Sequence, residues 1–303
     1  TRYWRDWSSD VCSSDLPDPK AKGGLLEIAI EPSARDTEEL RAFLAEHGPR
    51  TIVRIGAKVP LSVLEHVAGA PVVMLQGGRK AFDGLGAMPS SVRRLSIGRH
   101  AKAFSLRELP LDHIEQLELD VPSVDDFGPM PKLRTLGWTH LDDSGAAFVS
   151  AQPALHELGL RASTITHLPT SSSLERLVLL QPTKLVSLVG LEGLPSLRFL
   201  RIDAPKGMAR LGALDAAGSL ETLLLVSGHR IPDLSDIASA PKLTMLGLIE
   251  TKLDETPFLG LKGKLTGGSF LLKTPAAGKR LFAHLEIPYR KAELIENRFF
   301  DDP

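Results

Sequence analysis

Apolar residues recur along the chain in one short spacing, apolar-x-x-apolar-x-apolar, as in Leu197-Arg-Phe-Leu200-Arg-Ile202. The spacing returns at Leu220/Leu223/Leu225, Leu243/Leu246/Leu248, Leu174/Leu177/Leu179 and Leu155/Leu158/Leu160. Upstream it is found at Leu133/Leu136/Trp138, Ile114/Leu117/Leu119 and Val92/Leu95/Ile97. With weaker copies at Ile52/Ile55, Val72/Leu75 and Leu265/Phe270, eleven starts follow one another at 19 to 23 residues. The alternating end of each copy predicts a short strand with its apolar residues on one face. A period of this length predicts a solenoid, because no unit buries its apolar face without a neighbour.

The flanks carry different patterns. Leu25 to Ile30 alternates as a strand, and Asp36 then stands as N-cap of a helix with Glu39 at the capping-box position. Leu40, Phe43 and Leu44 form its apolar stripe and Gly48 ends it. Residues 23–50 are therefore expected to cap the start of the repeats, which occupy 51–272. Residues 273–303 are expected to cap their end, with one helix over Pro275 to Leu285 and another over Ala292 to Phe299. Between strands, Pro60 is suited to the first position of a helix carrying Leu61, Leu64 and Val67. Val124 to Pro131 is too short and too rich in Pro and Gly for more than one turn.

The spacing resembles the leucine-rich repeat family, whose signature is L-x-x-L-x-L followed by a ladder Asn or Cys. Short units such as Leu185 to Leu197 look like its bacterial, internalin-like subclass. The resemblance implies an α/β leucine-rich repeat solenoid, with a curved parallel sheet on the concave side and short helices and turns on the convex side. The chain departs from the family at the ladder position, where it has Pro122, Leu141, Ser163, Pro182, Pro205, Gly228 and Thr251; its single Asn is Asn297. The backbone groups of those turns are expected to find other partners, such as Ser and Thr hydroxyls or water.

Composition changes this picture little. The formal net charge of −1 argues against a dedicated nucleic-acid binder. Arg, Asp, Gly or Pro interrupts every apolar run before it reaches membrane-spanning length. Asp6 to Leu16 resembles the in-frame translation of a common short-read sequencing adapter, so residues 1–22 are read as a non-native leader. That removes Cys12, the sole cysteine, from consideration and fits a reducing compartment, with cytoplasm as the default. Repeats rich in Ala, Gly, Pro and Arg suggest GC-rich coding and a bacterial source.

No catalytic constellation emerges, and no cofactor or metal is expected. Gly84-Leu-Gly86 lacks the third glycine of a dinucleotide loop, and Gly267-Gly268 and Lys262-Gly-Lys264 lack phosphate-loop spacing. His156 and His167 stand half a repeat apart, Asp142-Asp143-Ser144 reads as a cap before Ala146 and Phe148, and Ser171 to Ser173 reads as a turn.

The concave face is more informative. Counting two, four and six residues from each first apolar position gives a basic start at Arg54, Lys58, Arg94 and nearby Arg99. An acidic and polar middle follows at Gln116, Glu118, Asp120, Thr135, Thr139 and Glu157. Then comes an apolar zone, Val178, Leu180, Phe199, Leu224, Val226, Met245 and Ile249, with Arg176, Arg201 and Asp203 among them. Those seven apolar residues are expected to be exposed, and a contiguous exposed apolar patch marks a partner surface. With Arg176 and Arg201 they form the predicted partner-binding set of a non-enzymatic protein–protein interaction module. Two other readings are kept. One is a substrate-recognition or autoinhibitory part of a larger enzyme whose catalytic domain precedes residue 1; the other is a solenoid with no specific partner.

Overall fold

The computed structural model describes residues 26–30, 37–77, 84–99, 104–106, 112–121, 123–125, 127–212, 214–228, 231–249, 252–253 and 255–287. Its strands are β1 (Leu26–Ile30), β2 (Thr51–Ile55), β3 (Val72–Leu75), β4 (Arg94–Ile97), β5 (Phe104–Ser105), β6 (Gln116–Asp120) and β7 (Val124–Asp125). They continue as β8 (Thr135–Thr139), β9 (Glu157–Arg161), β10 (Arg176–Leu180), β11 (Phe199–Asp203), β12 (Thr222–Val226), β13 (Met245–Ile249) and β14 (Gly267–Phe270). β5 and β7 pair only with each other, while the other twelve form one sheet in chain order. Every pair whose register is defined is parallel. The chain divides into two compact units, the first ending at Gly137 and the second beginning at Trp138.

In the first unit, Leu95 and Ile97 of β4 pair with Leu117 and Leu119 of β6, and all four are buried. The two earliest copies run in a different phase from the one expected. Val72 pairs with Arg94 and Val73 with Leu95, so Val73 and Leu75 are the inward residues of β3. The place of Val92 is taken by Ala70, which is fully buried and whose amide donates to the carbonyl three residues back, as that of Val92 does. A buried Ala fills the slot without marking it in a hydrophobic pattern. In the same way Val53 and Ile55, rather than Ile52, face inward in β2. Helix α1 (Thr37–His47) buries Leu40 and Leu44 and gives way at Gly48 to a 3₁₀ turn; its expected cap, Asp36, lies outside the described residues.

In the second unit the inward Leu pairs stack from β9 to β13: Leu158/Leu160, Leu177/Leu179, Leu200/Ile202, Leu223/Leu225 and Leu246/Leu248. All ten are at most 1% exposed. Main-chain groups tie each strand to the next at both ends. At the entry, one carbonyl accepts two successive amides of the following repeat: His156 from Glu175 and Arg176, Glu175 from Arg198 and Phe199, Arg198 from Glu221 and Thr222. At the exit, His140, Ala162, Gln181, Ala204 and Ser227 each turn left-handed, with φ between 45° and 70°. Their amides donate to the last carbonyl of the next strand, on Arg161, Leu180, Asp203, Val226 and Ile249, at 2.8–3.0 Å.

This arrangement replaces the missing Asn. The Leu141, Ser163 and Pro182 carbonyls accept amides of Thr164, Thr183 and Lys206 from the following repeat, and the Thr183 hydroxyl adds a second donor to Ser163. Backbone therefore does most of what hydroxyls or water were expected to do. Pro182 and Pro205 also bring no N–H that needs an acceptor.

The returns are short 3₁₀ turns, Leu61–His66 and Leu85–Ala87 in the first unit, and Leu191–Gly193, Leu214–Ala216, Ser235–Ser239 and Thr256–Leu261 in the second. Pro60 is the cap of its turn rather than the first residue within it. α2 (Ala146–Ser150) lays Phe148 edge-on against Trp138, ring centroids 5.6 Å apart. α3 (Pro275–Leu285) starts at Thr274, whose hydroxyl accepts the Ala277 amide at 3.1 Å, and buries Leu281 and Leu285. The expected helix from Ala292 to Phe299 lies outside the described residues.

Candidate partner-binding face

With Leu177 and Leu179 turned inward, Arg176, Val178 and Leu180 stand on the outer face of β10. The parallel register then sets three outer rows across the second unit. Arg176, Phe199, Thr222 and Met245 form the first, Val178, Arg201, Leu224 and Gly247 the second, and Leu180, Asp203, Val226 and Ile249 the third. All nine predicted residues therefore share one face.

Their exposure is not as expected. Val178 (3%), Leu180 (6%), Phe199 (9%) and Leu224 (2%) are buried, as is Arg201, while Arg176, Val226, Met245 and Ile249 are half-buried. Alternation along a strand decides which face a side chain joins. Burial is decided by the row, whose neighbours stand only about 4.8 Å away on either side. Arg176 lays its guanidinium over the Phe199 ring, 4.2 Å from the centroid. Arg201 lies between Val178 and Leu224 and reaches Asp203 at 3.2 Å. The face is a packed layer with an open margin.

That margin extends beyond the predicted set. Leu248 pairs with Phe270, which places Leu271 next to Ile249 in the third row, and the Leu271 amide donates to the Leu248 carbonyl at 2.7 Å. Leu271 is 55% exposed. Counting the same column one unit further would have found it. The third row is closed at Leu180, half open at Val226 and Ile249, and open at Leu271.

On the outer face of the first unit, charge meets charge. Arg54 pairs with Glu27 of β1, and Arg94 with Glu118 of β6. The basic start predicted there is thus partly neutralised, while Lys58 and Arg99 sit exposed in turns beyond their strands.

The remaining candidates serve local structure. Asp142 accepts the Ser144 and Gly145 amides at 3.0 and 3.3 Å ahead of α2. Asp143 accepts the Thr166 amide and hydroxyl, both at 2.8 Å, and the amide bond is the chief reason its carboxyl is held below the usual range. His156 Nδ1 meets the Ala154 carbonyl and His167 Nδ1 the Thr166 hydroxyl, so the two rings have separate partners. Ser173 donates to the Leu155 carbonyl. Among the described residues no three metal-ligating side chains meet, and no helix is long and apolar enough to cross a membrane.

Among the described residues of the first unit, one titratable group is buried. His113 is 8% exposed, and its Nε2 has no hydrogen-bond partner. Burial, reinforced by the Arg93 guanidinium, lowers its pKa, partly offset by a hydrogen bond to the Pro89 carbonyl. In the unfolded chain the imidazole titrates near its ordinary value of about 6.5, so below that pH the unfolded state holds more protons than the folded one. Stability of the first unit should fall as pH drops through 6.5 and level off below the folded pKa. Urea midpoints at about pH 7.5 and pH 5 measure this. A His113→Gln variant should lose less stability over that interval than the parent; an equal loss excludes His113 as the source.

No family model matches the sequence, and no curated protein matches it. Among solved structures, TLR13 in its complex with ssRNA13 matches 79% of this chain with a TM-score of 0.60 at 17% identity. The fold is that of the leucine-rich repeats. The present chain spans 37% of that TLR13 chain. An internalin (inlF) from Listeria monocytogenes str. 4b F2365 gives a TM-score of 0.48 at 18% identity, covering 87% of this chain and 85% of its own. A leucine rich cell surface protein from Faecalibacterium prausnitzii A2-165 gives 0.20 at 12%, covering 91% and 86%. At 17% identity the likeness to TLR13 shows the leucine-rich repeat fold alone.

Proposed function

We propose that the chain is a non-enzymatic recognition module that takes a protein partner on the outer sheet face of its second unit. Val226, Met245, Ile249 and Leu271 make the contact, Val178, Leu180, Phe199, Arg201 and Leu224 form its floor, and Arg176 edges it. Residues 23–50 and 273–303 serve as end caps. The carrying observation is the third row, which ends on a leucine more than half exposed. A sheet whose inner face already holds the core has no need of apolar residues on its outer one, and an open apolar row is what a partner covers. TLR13 was solved with single-stranded RNA. Here the net charge of −1 and the engagement of Arg176 with Phe199 and of Arg201 with Asp203 favour protein over a phosphate backbone. A reducing compartment such as the cytoplasm suits a chain whose sole cysteine is Cys12.

The test is capture of proteins from native lysate by the parent and by Val226→Asp/Ile249→Asp/Leu271→Asp, after circular dichroism shows both folded. These positions are open enough to accept a charge, whereas Phe199 and Leu224 are not. A partner held by the parent should be lost by the variant, a drop of at least about tenfold. Equal capture by both rejects the face.

A further inference from the structure

We infer that the segment bound at this face is acidic as well as apolar; the inference rests on the binding face proposed above. Just past the third row, consecutive repeats each place a cation two to four residues downstream: Lys184 after Leu180, Lys206 after Asp203, Lys252 after Ile249 and Lys273 after Leu271. Arg230 holds the same place after Val226 in the sequence but lies outside the described residues, as does Glu250. All four lysines are exposed. Among the described residues none of them enters an ion pair or a side-chain hydrogen bond, unlike Arg201 in its contact with Asp203 or Arg198 with Glu221.

The described exit turns 181–184, 204–206, 227–228, 252–253 and 272–273 contain no carboxylate at all. The one acidic residue of the third row between β10 and β13, Asp203, is engaged by Arg201. At the opposite, entry end of the strands, the cation Arg198 is held by both oxygens of Glu221 at 2.9 and 3.0 Å. Among the described residues an unpaired lysine also stands on the entry side at Lys242, but only the exit side repeats one from repeat to repeat beside an apolar row. A partner that seats apolar side chains on Val226, Ile249 and Leu271 brings its flank against this file, and carboxylates there are attracted while cations are repelled. A nucleic-acid backbone or an anionic bilayer calls for cations spread over the contact face, and the rows themselves have none to spare.

The experiment uses the full chain as bait, with zero-length carbodiimide coupling, which joins a carboxylate to a lysine amine only in contact. Mass spectrometry should find Asp or Glu of the captured protein coupled to Lys206, Lys252 or Lys273. Lys206→Glu/Lys252→Glu/Lys273→Glu should weaken capture about tenfold, and raising salt from about 0.05 M to about 0.5 M should weaken that of the parent. Capture lost in the Val226/Ile249/Leu271 variant but unchanged in the lysine variant overturns the acidic partner and leaves the face standing. Capture unchanged in both, or no protein captured at all, removes the two together. Binding that depends on the lysines but is abolished by ribonuclease, or is seen only with phosphatidylserine vesicles, overturns the choice of a polypeptide.

Discussion

Trp138→Ala lowers the stability of the second unit by about 3–5 kcal/mol, the range for emptying an aromatic site in a core. Trp138 occupies an inward position that Leu160, Leu179 and Leu225 hold in later repeats, and it is completely buried. Its larger ring is matched by the return above it. Phe148 of α2 packs edge-on at 5.6 Å, and Gly145 passes so close that an added Cβ would lie 3.1 Å from the ring and 2.3 Å from Leu141 Cδ1. Alanine therefore opens a cavity that α2 cannot fill without leaving its own contacts. Trp138→Leu restores the residue type of the other repeats and should still cost more than about 1 kcal/mol, because α2 was fitted to the indole. Urea unfolding of both variants measures this; a Leu variant as stable as the parent would show that α2 does not depend on the ring.

Gly268→Leu is the second large effect, and it runs against the pattern of the repeats. Gly268 pairs with Leu246 and stands where β9 to β13 all place an inward leucine. The space is taken. A Cβ there would lie 2.6 Å from the Phe270 ring and 2.8 Å from the Leu246 carbonyl oxygen. Phe270 in turn packs on Phe282 of α3, ring centroids 4.7 Å apart. Gly278 of α3 lies so close to this strand that a Cβ added to it would stand 2.7 Å from the Phe270 carbonyl oxygen, and the helix is held down beside it. Adding the repeat's usual leucine at 268 drives Phe270 outward and loosens α3. The expected cost is about 1–3 kcal/mol, with the upper end favoured because a backbone atom cannot yield. Hydrogen exchange should show the amides of α3 opening before those of β10 to β12. Unchanged protection in α3 would mean that Phe270 has room to move.

The same two positions show what could be read from sequence. Eleven strands were legible because, apart from Gly268 in β14, the inward pairs are made of large apolar residues, and burial of such a pair depends on its own strand. Phase failed at Ala70, where the filler is too small to stand out. The left-handed exits were invisible, since His140, Ala162, Gln181, Ala204 and Ser227 are not residues that advertise a positive φ. Membership of the outer face followed from alternation and was readable for Val178 or Leu224. Their burial was not, because it comes from Arg201 and other row neighbours on strands more than twenty residues away. The lysine file was within reach of sequence, but only once the outer rows had been laid side by side.

The paired amides at each strand entry have a consequence for how such a chain changes over time. The accepting carbonyls belong to residues as different as His156, Glu175, Arg198 and Glu221, and the donors are equally varied. Since only main-chain atoms take part, mutation at these positions to anything but proline leaves the donors and acceptors of the joint in place. Selection on the architecture then acts on a few inward leucines per unit, and the rest of the text can be rewritten. A lineage of this kind keeps its shape long after its spelling has become unrecognisable, which is the condition in which a fold is shared at 17% identity.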